Sequence, residues 1–336
     1  MKKLKIIMGN ATLALLAGSE TYLETLAKEF KRLGHEVTAY SPQLGLIATK
    51  LEAVGIRCVD SIKGQGDGKV RPFTPYFEAD EGQYDIIICS HYEITKYLHD
   101  RLPDTPIIGI VHGILHKNVD TGEIWPEHPV TEFKVDQYIA VSEEVQGILK
   151  RFHNIEAKVI RNFIDLKRFK KEGKLSKKPR SVLVNSNYWT PDDPINQIIK
   201  KVADNYDISF MGIGANFAST YETEEILKDA DIVFGMGRSI LEAAAMGKVV
   251  VCHGRWGTGG VLDPKLMVEL AKTNFSGRLE NSDSRPLLEA PIIISQIDEA
   301  YNQKNVDAVH GIMKKHHNVE VVAKEFLKIA EGLINK

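Results

Sequence analysis

Residues 229–264, DADIVFGMGRSILEAAAMGKVVVCHGRWGTGGVLDP, decide the reading of this chain. Ile232, Val233 and Phe234 end a short apolar strand, and Gly235-Met236-Gly237 turn the chain. Residues 239–246 read as a helix, being rich in strong helix formers (Leu241, Glu242, Ala243, Ala244, Ala245). Gly247 stops that helix, and Lys248-Val249-Val250-Val251 begins the next strand. A glycine turn feeding a helix N-terminus suits a phosphate group. Its first backbone N–H groups lack helical partners and point outward, with the helix dipole behind them. Glu242 stands one turn into the helix, three residues after Ser239 and on the same face. Alone, the unit fits either an anion site or an ordinary βαβ element with a surface glutamate, and the flanking chain has to separate the two.

Working outward, the same alternation recurs. Residues 4–8 predict a first strand. The spacing of Tyr22, Leu23, Leu26, Ala27, Phe30 and Leu33 predicts a one-sided helix that Gly34 ends. Strands follow at 35–40, 56–59, 85–89, 107–111 and 138–141, with helices at 46–54, 93–102 and 143–152, the last behind Ser142 as N-cap. Val159 and Ile160 close this half. After a basic stretch the alternation restarts at 181–185, 195–203, 208–211 and 222–227, passes through the quoted unit and reaches a further strand at 292–294. A final amphipathic helix carries Val321, Val322, Phe326, Leu327, Ile329 and Leu333. At 336 residues the chain exceeds one ordinary core. The expected fold is α/β, with two Rossmann-like, doubly wound parallel-sheet domains facing a cleft, the carboxyl ends of the strands turned towards it. The expected boundaries are 1–163 for the N-terminal domain, 164–180 for a basic linker, 181–316 for the C-terminal domain and 317–336 for a closing helix.

Composition excludes several classes. The net charge of −2 gives no global field for nucleic acid. Cys58, Cys89 and Cys252 lie far apart and form no zinc spacing, which fits a reducing cytoplasm. Met1-Lys2-Lys3 opens a strand rather than a leader, since Gly9 and Asn10 interrupt the apolar run. No run approaches the roughly 18 apolar residues a membrane span needs. Lys167, Arg168, Lys170, Lys171, Lys174, Lys177, Lys178 and Arg180 crowd one stretch. It suits a solvated linker, or a peripheral contact with an anionic membrane at its inner face.

Three signals carry little. Residues 63–69, KGQGDGK, lack the spacing of a phosphate loop, and Gly212-Ile213-Gly214 lacks the third glycine of a dinucleotide site. No acidic D-x-D pair sits at a strand end, and Asp192-Asp193 lies on a Pro-flanked loop, so no metal is expected. Among the 11 histidines, His316-His317 reads as an exposed helix end. His91 and His112 stand out because each follows a parallel-type strand, where cleft residues sit in such sheets.

In this order the chain resembles a glycosyltransferase of the two-Rossmann GT-B type, nearest the retaining glycosyltransferase family 4. Ala17-Gly18-Ser19-Glu20 is similar to that family's G-G-x-E/Q loop, and Cys89-Ser90-His91 and Val111-His112-Gly113 to its histidine-bearing strands. Residues 159–165, VIRNFID, resemble V-I-P-N-G-V-D, and residues 235–243, GMGRSILEA, resemble G-F-G-x-x-x-L-E-A, the donor signature. The resemblance implies transfer of a sugar from a nucleotide-diphosphate donor to a hydroxyl acceptor, with retention at the anomeric carbon and with no cofactor or metal. It implies Glu242 on the donor ribose and His112 beside the reacting sugar, these two being the catalytic candidates. The donor site would take Gly18, Ser19, Arg161, Asn162, Asn187, Gly212, Gly235, Gly237, Arg238 and Ser239. His91, His112 and Trp125 would face the sugar or acceptor; Trp125, with His116 and His128 of the 113–131 loop, could stack on a sugar ring or simply pack, and the glycine-rich loop at 252–260 would lie at the cleft edge, close enough to cover the donor's phosphates or sugar. The acceptor class (glycan, lipid-linked or small molecule) and the oligomeric state stay open. Two departures accompany the resemblance. Phe234 occupies the first place of the family's E-x7-E, and the diphosphate-holding G-R-x-x-x-x-K is replaced by residues 185–191, NSNYWTP. An epimerase or phosphorylase on the same frame, or a non-catalytic nucleotide-sugar binder, therefore stands beside the transferase.

Overall fold

The computed structural model describes residues 2–60, 84–117, 124–126, 132–187, 189–190, 195–214, 218–254, 256–279 and 285–335. They divide into two units, residues 1–160 with 322–336, and residues 161–321. The loop at 63–69, His128, Asp192-Asp193 and Arg255 lie outside the described residues, as do the side chains of His116 and Trp125.

The first unit runs β1 (Lys5–Gly9), α1 (Gly18–Arg32), β2 (Glu36–Tyr40), α2 (Leu46–Glu52), β3 (Arg57–Val59), β4 (Ile86–Ser90), α3 (Tyr92–Arg101), β5 (Ile107–Val111), β6 (Ile114–Lys117), β7 (Ile124–Pro126), β8 (Gln137–Ala140), α4 (Glu143–His153) and β9 (Ala157–Val159). Seven strands pair in the order β3-β2-β1-β4-β5-β8-β9, all in parallel. Continuous apolar runs such as Ile86-Ile87-Ile88 suit strands covered on both faces. Helices α1 and α4 end as their sequences predict: Gly34 takes φ 93° past α1, and the Ser142 side chain caps α4 by accepting from the Val145 N–H.

The second unit runs β10 (Val182–Asn185), α5 (Ile195–Asn205), β11 (Phe210–Ile213), α6 (Thr223–Leu227), β12 (Ile232–Gly235), α7 (Arg238–Ala245), β13 (Val249–Gly254), β14 (Gly257–Val261), α8 (Pro264–Ala271), α9 (Ala290–Ala300) and α10 (Gln303–His316). The last helix, α11 (Val319–Ile334), begins here and ends in the first unit. The sheet order is β11-β10-β12-β13-β14, parallel except for β14. One core layer holds Val233 and Val250 with α7, α8 and α10; the other holds Phe234 and Val251 with α5 and α9.

Three expectations are corrected. Residues 292–294 are helical: Pro291 sits in the first turn of α9, and Ile293 and Ile297, four apart, are buried while Ile292 is exposed. The apolar run read as a strand is one stripe of a helix. Residues 252–254 pair antiparallel with 257–260 in the strands β13 and β14 rather than lying in a loop, with the His253 ring bonded to the Thr258 hydroxyl. His317 is buried, not exposed. The basic stretch at 164–180 packs within the second unit: Phe169 is in its core, and Arg168, Lys171 and Arg180 pair with Glu224, Asp307 and Asp231. No described helix is long and apolar enough to cross a membrane.

Gly214 ends β11 at φ 133°, and a Cβ there would be driven into the Ser186 carbonyl. Gly147 lies within α4, where a Cβ would meet nothing. Gly214→Ala should therefore destabilise the protein by about 2–4 kcal/mol, whereas Gly147→Ala should stabilise it by about 0.5–1 kcal/mol. Calorimetric melting of the two variants beside the parent checks both signs.

Candidate functional site

In the second unit the quoted stretch folds around one turn. Gly235 is the last residue of β12; a Cβ there would stand 2.9 Å from the Asn185 carbonyl and 3.0 Å from Ser239 Cβ. Gly237 takes φ 60° and ψ −128°, a conformation open to glycine, and no side chain caps the helix that follows. Its N–H donates to the Phe275 carbonyl at 2.8 Å. Phe275 and its neighbour Asn274 both hold positive φ, 54° and 53°. For a bulky residue that is a strained conformation, kept only where its surroundings over-determine it.

Glu242 is buried, 9% exposed, one turn above. Arg238 Nε donates to its Oε1 at 3.1 Å, and Arg238 Nη1 donates to the Phe163 carbonyl at 3.2 Å. Burial pushes the Glu242 carboxyl up; the charges of Arg238 and Arg168 and hydrogen bonds from Arg238 and Asn185 oppose it. Arg238, which the resemblance places in the donor site, is thus also the partner of the carboxylate expected on the ribose.

A clasp lies behind this turn. Ile164 and Asn318 form a parallel bridge, with the Ile164 N–H donating to the His317 carbonyl (2.8 Å) and the Val319 N–H to the Ile164 carbonyl (3.1 Å). The His317 Nδ1–H donates to the Asn162 carbonyl at 2.6 Å, and its ring meets Phe275 edge-on at 5.7 Å. The Asn162 amide donates to Asn274 Oδ1 at 2.7 Å. The clasp thereby places Phe163 and backs Phe275, the two acceptors that fix the turn.

The first unit gathers a second group at the carboxyl ends of β4 and β5. The His112 Nε2 lies 2.8 Å from Ser90 Oγ, and its ring meets Tyr22 edge-on at 4.8 Å and His91 at 6.3 Å between centroids. His91 holds φ 71° directly after β4. Tyr22 is fully buried, and desolvation pushes its phenol far up, so it stays neutral. Gly18 and Ser19 open α1, where Ser19 Oγ donates to Glu20 Oε2 at 2.9 Å.

Of the residues singled out in the sequence, Asn162, Gly235, Gly237, Arg238, Ser239 and Glu242 come together in the second unit. His91 and His112 come together in the first. Arg161 acts on the His317 environment, Asn187 is exposed after β10, and Gly212 lies within β11. Trp125 contributes backbone to β7. Sequence reasoning missed Ser90, Tyr22, Phe163, Asn185, Phe275 and His317. Asn185 and Ser90, polar residues closing apolar strands, carried a readable signal. Among the described residues no group of three or more His, Cys, Asp or Glu side chains is placed to hold a metal.

The family model described as Glycosyltransferase Family 4 matches residues 16–168. The match lies in the N-terminal half of the chain. The chain as a whole has the GT-B fold. It is similar to a glycosyltransferase from Rickettsia africae ESF-5, at 14% identity and TM-score 0.64 over 99% of each chain. It is also similar to HepE of Anabaena in complex with UDP-glucose, at 14% identity and TM-score 0.65 over 98% of this chain and 100% of that one. A sucrose-phosphate synthase from Thermosynechococcus elongatus aligns over 99% and 100% at 11% identity and TM-score 0.59. No curated protein sequence matches the chain significantly.

Burial holds the His317 imidazole neutral, with its pKa lowered to about 4; Arg161 and His316 push the same way against the bond to Asn162. The unfolded chain takes up this proton near pH 6.5, the folded chain only near 4. Stability from this group is therefore full above pH 6.5 and falls as the pH drops towards 4, by roughly 3 kcal/mol in total. His317→Asn, which keeps a donor near the Nδ1 position, should flatten that slope. Urea unfolding at pH 7.5 and 4.5 followed by tryptophan fluorescence measures it.

Proposed function

We propose that this chain transfers a sugar from a nucleoside-diphosphate donor to a hydroxyl acceptor, with retention at the anomeric carbon. The observation that carries the proposal is the buried Glu242 carboxylate, held by Arg238 one turn above the uncapped N-terminus of α7. A carboxylate with spare acceptor positions beside a run of backbone N–H groups is a pairing that suits a ribose joined to a diphosphate. The Family 4 match and the UDP and UDP-glucose bound in the HepE structures support it, as does an α-glucosyltransferase aligned at TM-score 0.63 and solved with UDP and a 13-mer DNA.

In this reading Glu242 accepts hydrogen bonds from the ribose hydroxyls, each worth about 1.5–3 kcal/mol because one partner is charged. The turn at 235–239 holds the diphosphate, whose departure is the step that fixed dipoles assist most. His112, steadied by Ser90 and Tyr22, orients a sugar or acceptor hydroxyl. The donor itself carries the activated bond, so the reaction asks for no resident cofactor.

A second reading, a nucleotide-sugar binder without turnover, is favoured by one observation. Phe234, in the first place of the E-x7-E spacing, is fully buried and offers the sugar no hydrogen bond.

Incubation with labelled UDP-, GDP- and ADP-sugars separates the two. Release or transfer of label supports the transferase; tight binding without release supports the binder. Glu242→Gln should weaken donor binding about tenfold or more, and His112→Ala should cut turnover while leaving donor affinity within about threefold. Turnover unchanged in both variants would remove these residues from the site.

A further inference from the structure

The last residue of β10 stands beside the start of the donor turn. β10 and β12 pair in parallel, and their register sets Asn185 opposite Gly235. Gly235 brings no side chain. A Cβ there would stand 2.9 Å from the Asn185 carbonyl and 3.0 Å from Ser239 Cβ, so the end of β10 and the first turn of α7 close directly on each other. Asn185 is 6% exposed, and its side-chain amide turns to the buried Glu242 carboxyl. The hydrogen bond it extends there is weak. Asn185 Nδ2 is closed off from solvent, and among the described residues no acceptor meets it in good hydrogen-bond geometry. Buried donors are nearly always paired, so this one calls for an explanation.

We propose that Asn185 is a specificity-determining residue of the donor site, its amide nitrogen donating to an oxygen of the ribose diol whose hydrogens go to Glu242, so that the site takes ribonucleotides and rejects deoxyribonucleotides. The inference rests on the donor-site reading given above. A hydroxyl both donates and accepts, whereas a carboxylate can take only its hydrogen and an amide NH2 can serve only its oxygen. Glu242 and Asn185, side by side on neighbouring elements, supply the two halves. The pair also selects against other oxygens of the ligand. A phosphate oxygen has no hydrogen to give and would meet the carboxylate charge at close range. Asn185 is carried at the end of a central strand on a short side chain, so little freedom is lost when the ligand arrives. A deoxy ligand would leave the amide N–H and a carboxylate oxygen unpaired in a site closed to water. That penalty, more than the lost bond itself, is what discriminates.

The test is calorimetric titration of the full chain with UDP, GDP and ADP, and with the 2′-deoxy and 3′-deoxy forms of whichever binds, for the parent, Asn185→Ala, Asn185→Asp and Glu242→Gln. The parent should bind the ribonucleotide about tenfold or more tighter than at least one deoxy form. Asn185→Ala should lower ribonucleotide affinity about three- to tenfold while affinity for that deoxy form moves less than about twofold, so the preference shrinks. Asn185→Asp, which keeps the size but replaces the donor by an acceptor, should lose at least as much of the preference. If Asn185→Ala fails to fold, the aspartate variant decides, since a parent-like preference in it overturns the amide contact. Equal affinity of the parent for the ribonucleotide and both deoxy forms overturns the proposal without any variant. So does Asn185→Ala if it weakens ribo and deoxy ligands equally, the result of a merely structural role, or changes neither. If Glu242→Gln weakens ribonucleotide binding and Asn185→Ala does not, the donor site stands and the role of Asn185 falls. If the parent binds none of the three diphosphates, both fall.

Discussion

Two backbone carbonyls, those of Phe163 and Phe275, hold the turn between β12 and α7, and much of the second unit serves to keep them in place. One takes the Arg238 guanidinium and the other the Gly237 N–H. Both carbonyls depend on residues distant in sequence as well as on their neighbours. Phe163 is positioned by the pairing of Ile164 with residues 317–319, and Phe275 by two successive left-handed residues backed by the His317 ring. The arrangement carries a cost of order 1–3 kcal/mol for each strained residue, besides a histidine that must stay neutral. Backbone acceptors repay this with rigidity, because a carbonyl tied into secondary structure cannot rotate away as a long side chain can.

The same geometry sets opposing influences on the carboxyl group under the turn. Burial pushes the Glu242 carboxyl up. Arg238 and Arg168 oppose it by charge, and Arg238 and Asn185 by hydrogen bonding, while one carboxylate oxygen accepts from Arg238 Nε. A carboxylate offers about four acceptor positions, so the ion pair leaves capacity for hydroxyl donors. Arg168 is itself tied to Glu224 and to the Tyr221 carbonyl, and its guanidinium lies over the Tyr221 ring. The basic stretch after the first unit therefore contributes to the electrostatics of the turn as well as to the core.

Legibility followed locality. The alternation of strand and helix, the stops at Gly34 and Gly247, the Ser142 cap and the last helix were all readable, since each depends on residues within a few positions of one another. So was the segment from Gly235 to Glu242. Residues 292–294 misled because three β-branched isoleucines look like a strand until Pro291 and the spacing to Ile297 are weighed together. The 252–260 segment misled because glycines hide a strand that has few apolar side chains of its own. Phe163, Phe275 and His317 were illegible for a different reason. Their roles are made by tertiary packing between residues far apart in sequence, as between Gly237 and Phe275 or Asn162 and His317, and no local composition signals a phenylalanine in the left-handed region.

Position 234 shows where resemblance and geometry part. Counted along the chain, Phe234 holds the first place of the E-x7-E spacing before Glu242. In the fold it belongs to the layer of Trp189, Ile199, Ile293 and Ile297, edge-on to His253, which is bonded to Thr258 beneath the hairpin. A carboxylate at this site would have to displace that apolar layer and lose its hydration with no cation described beside it, a penalty of several kcal/mol. Restoring glutamate would thus not by itself restore a sugar contact. Residue 235, which ends β12, is a glycine and brings only backbone to the turn. In the proposed reading, selection among sugars would act through backbone groups of the turn or through side chains outside β12, apart from the strand assigned to the nucleotide.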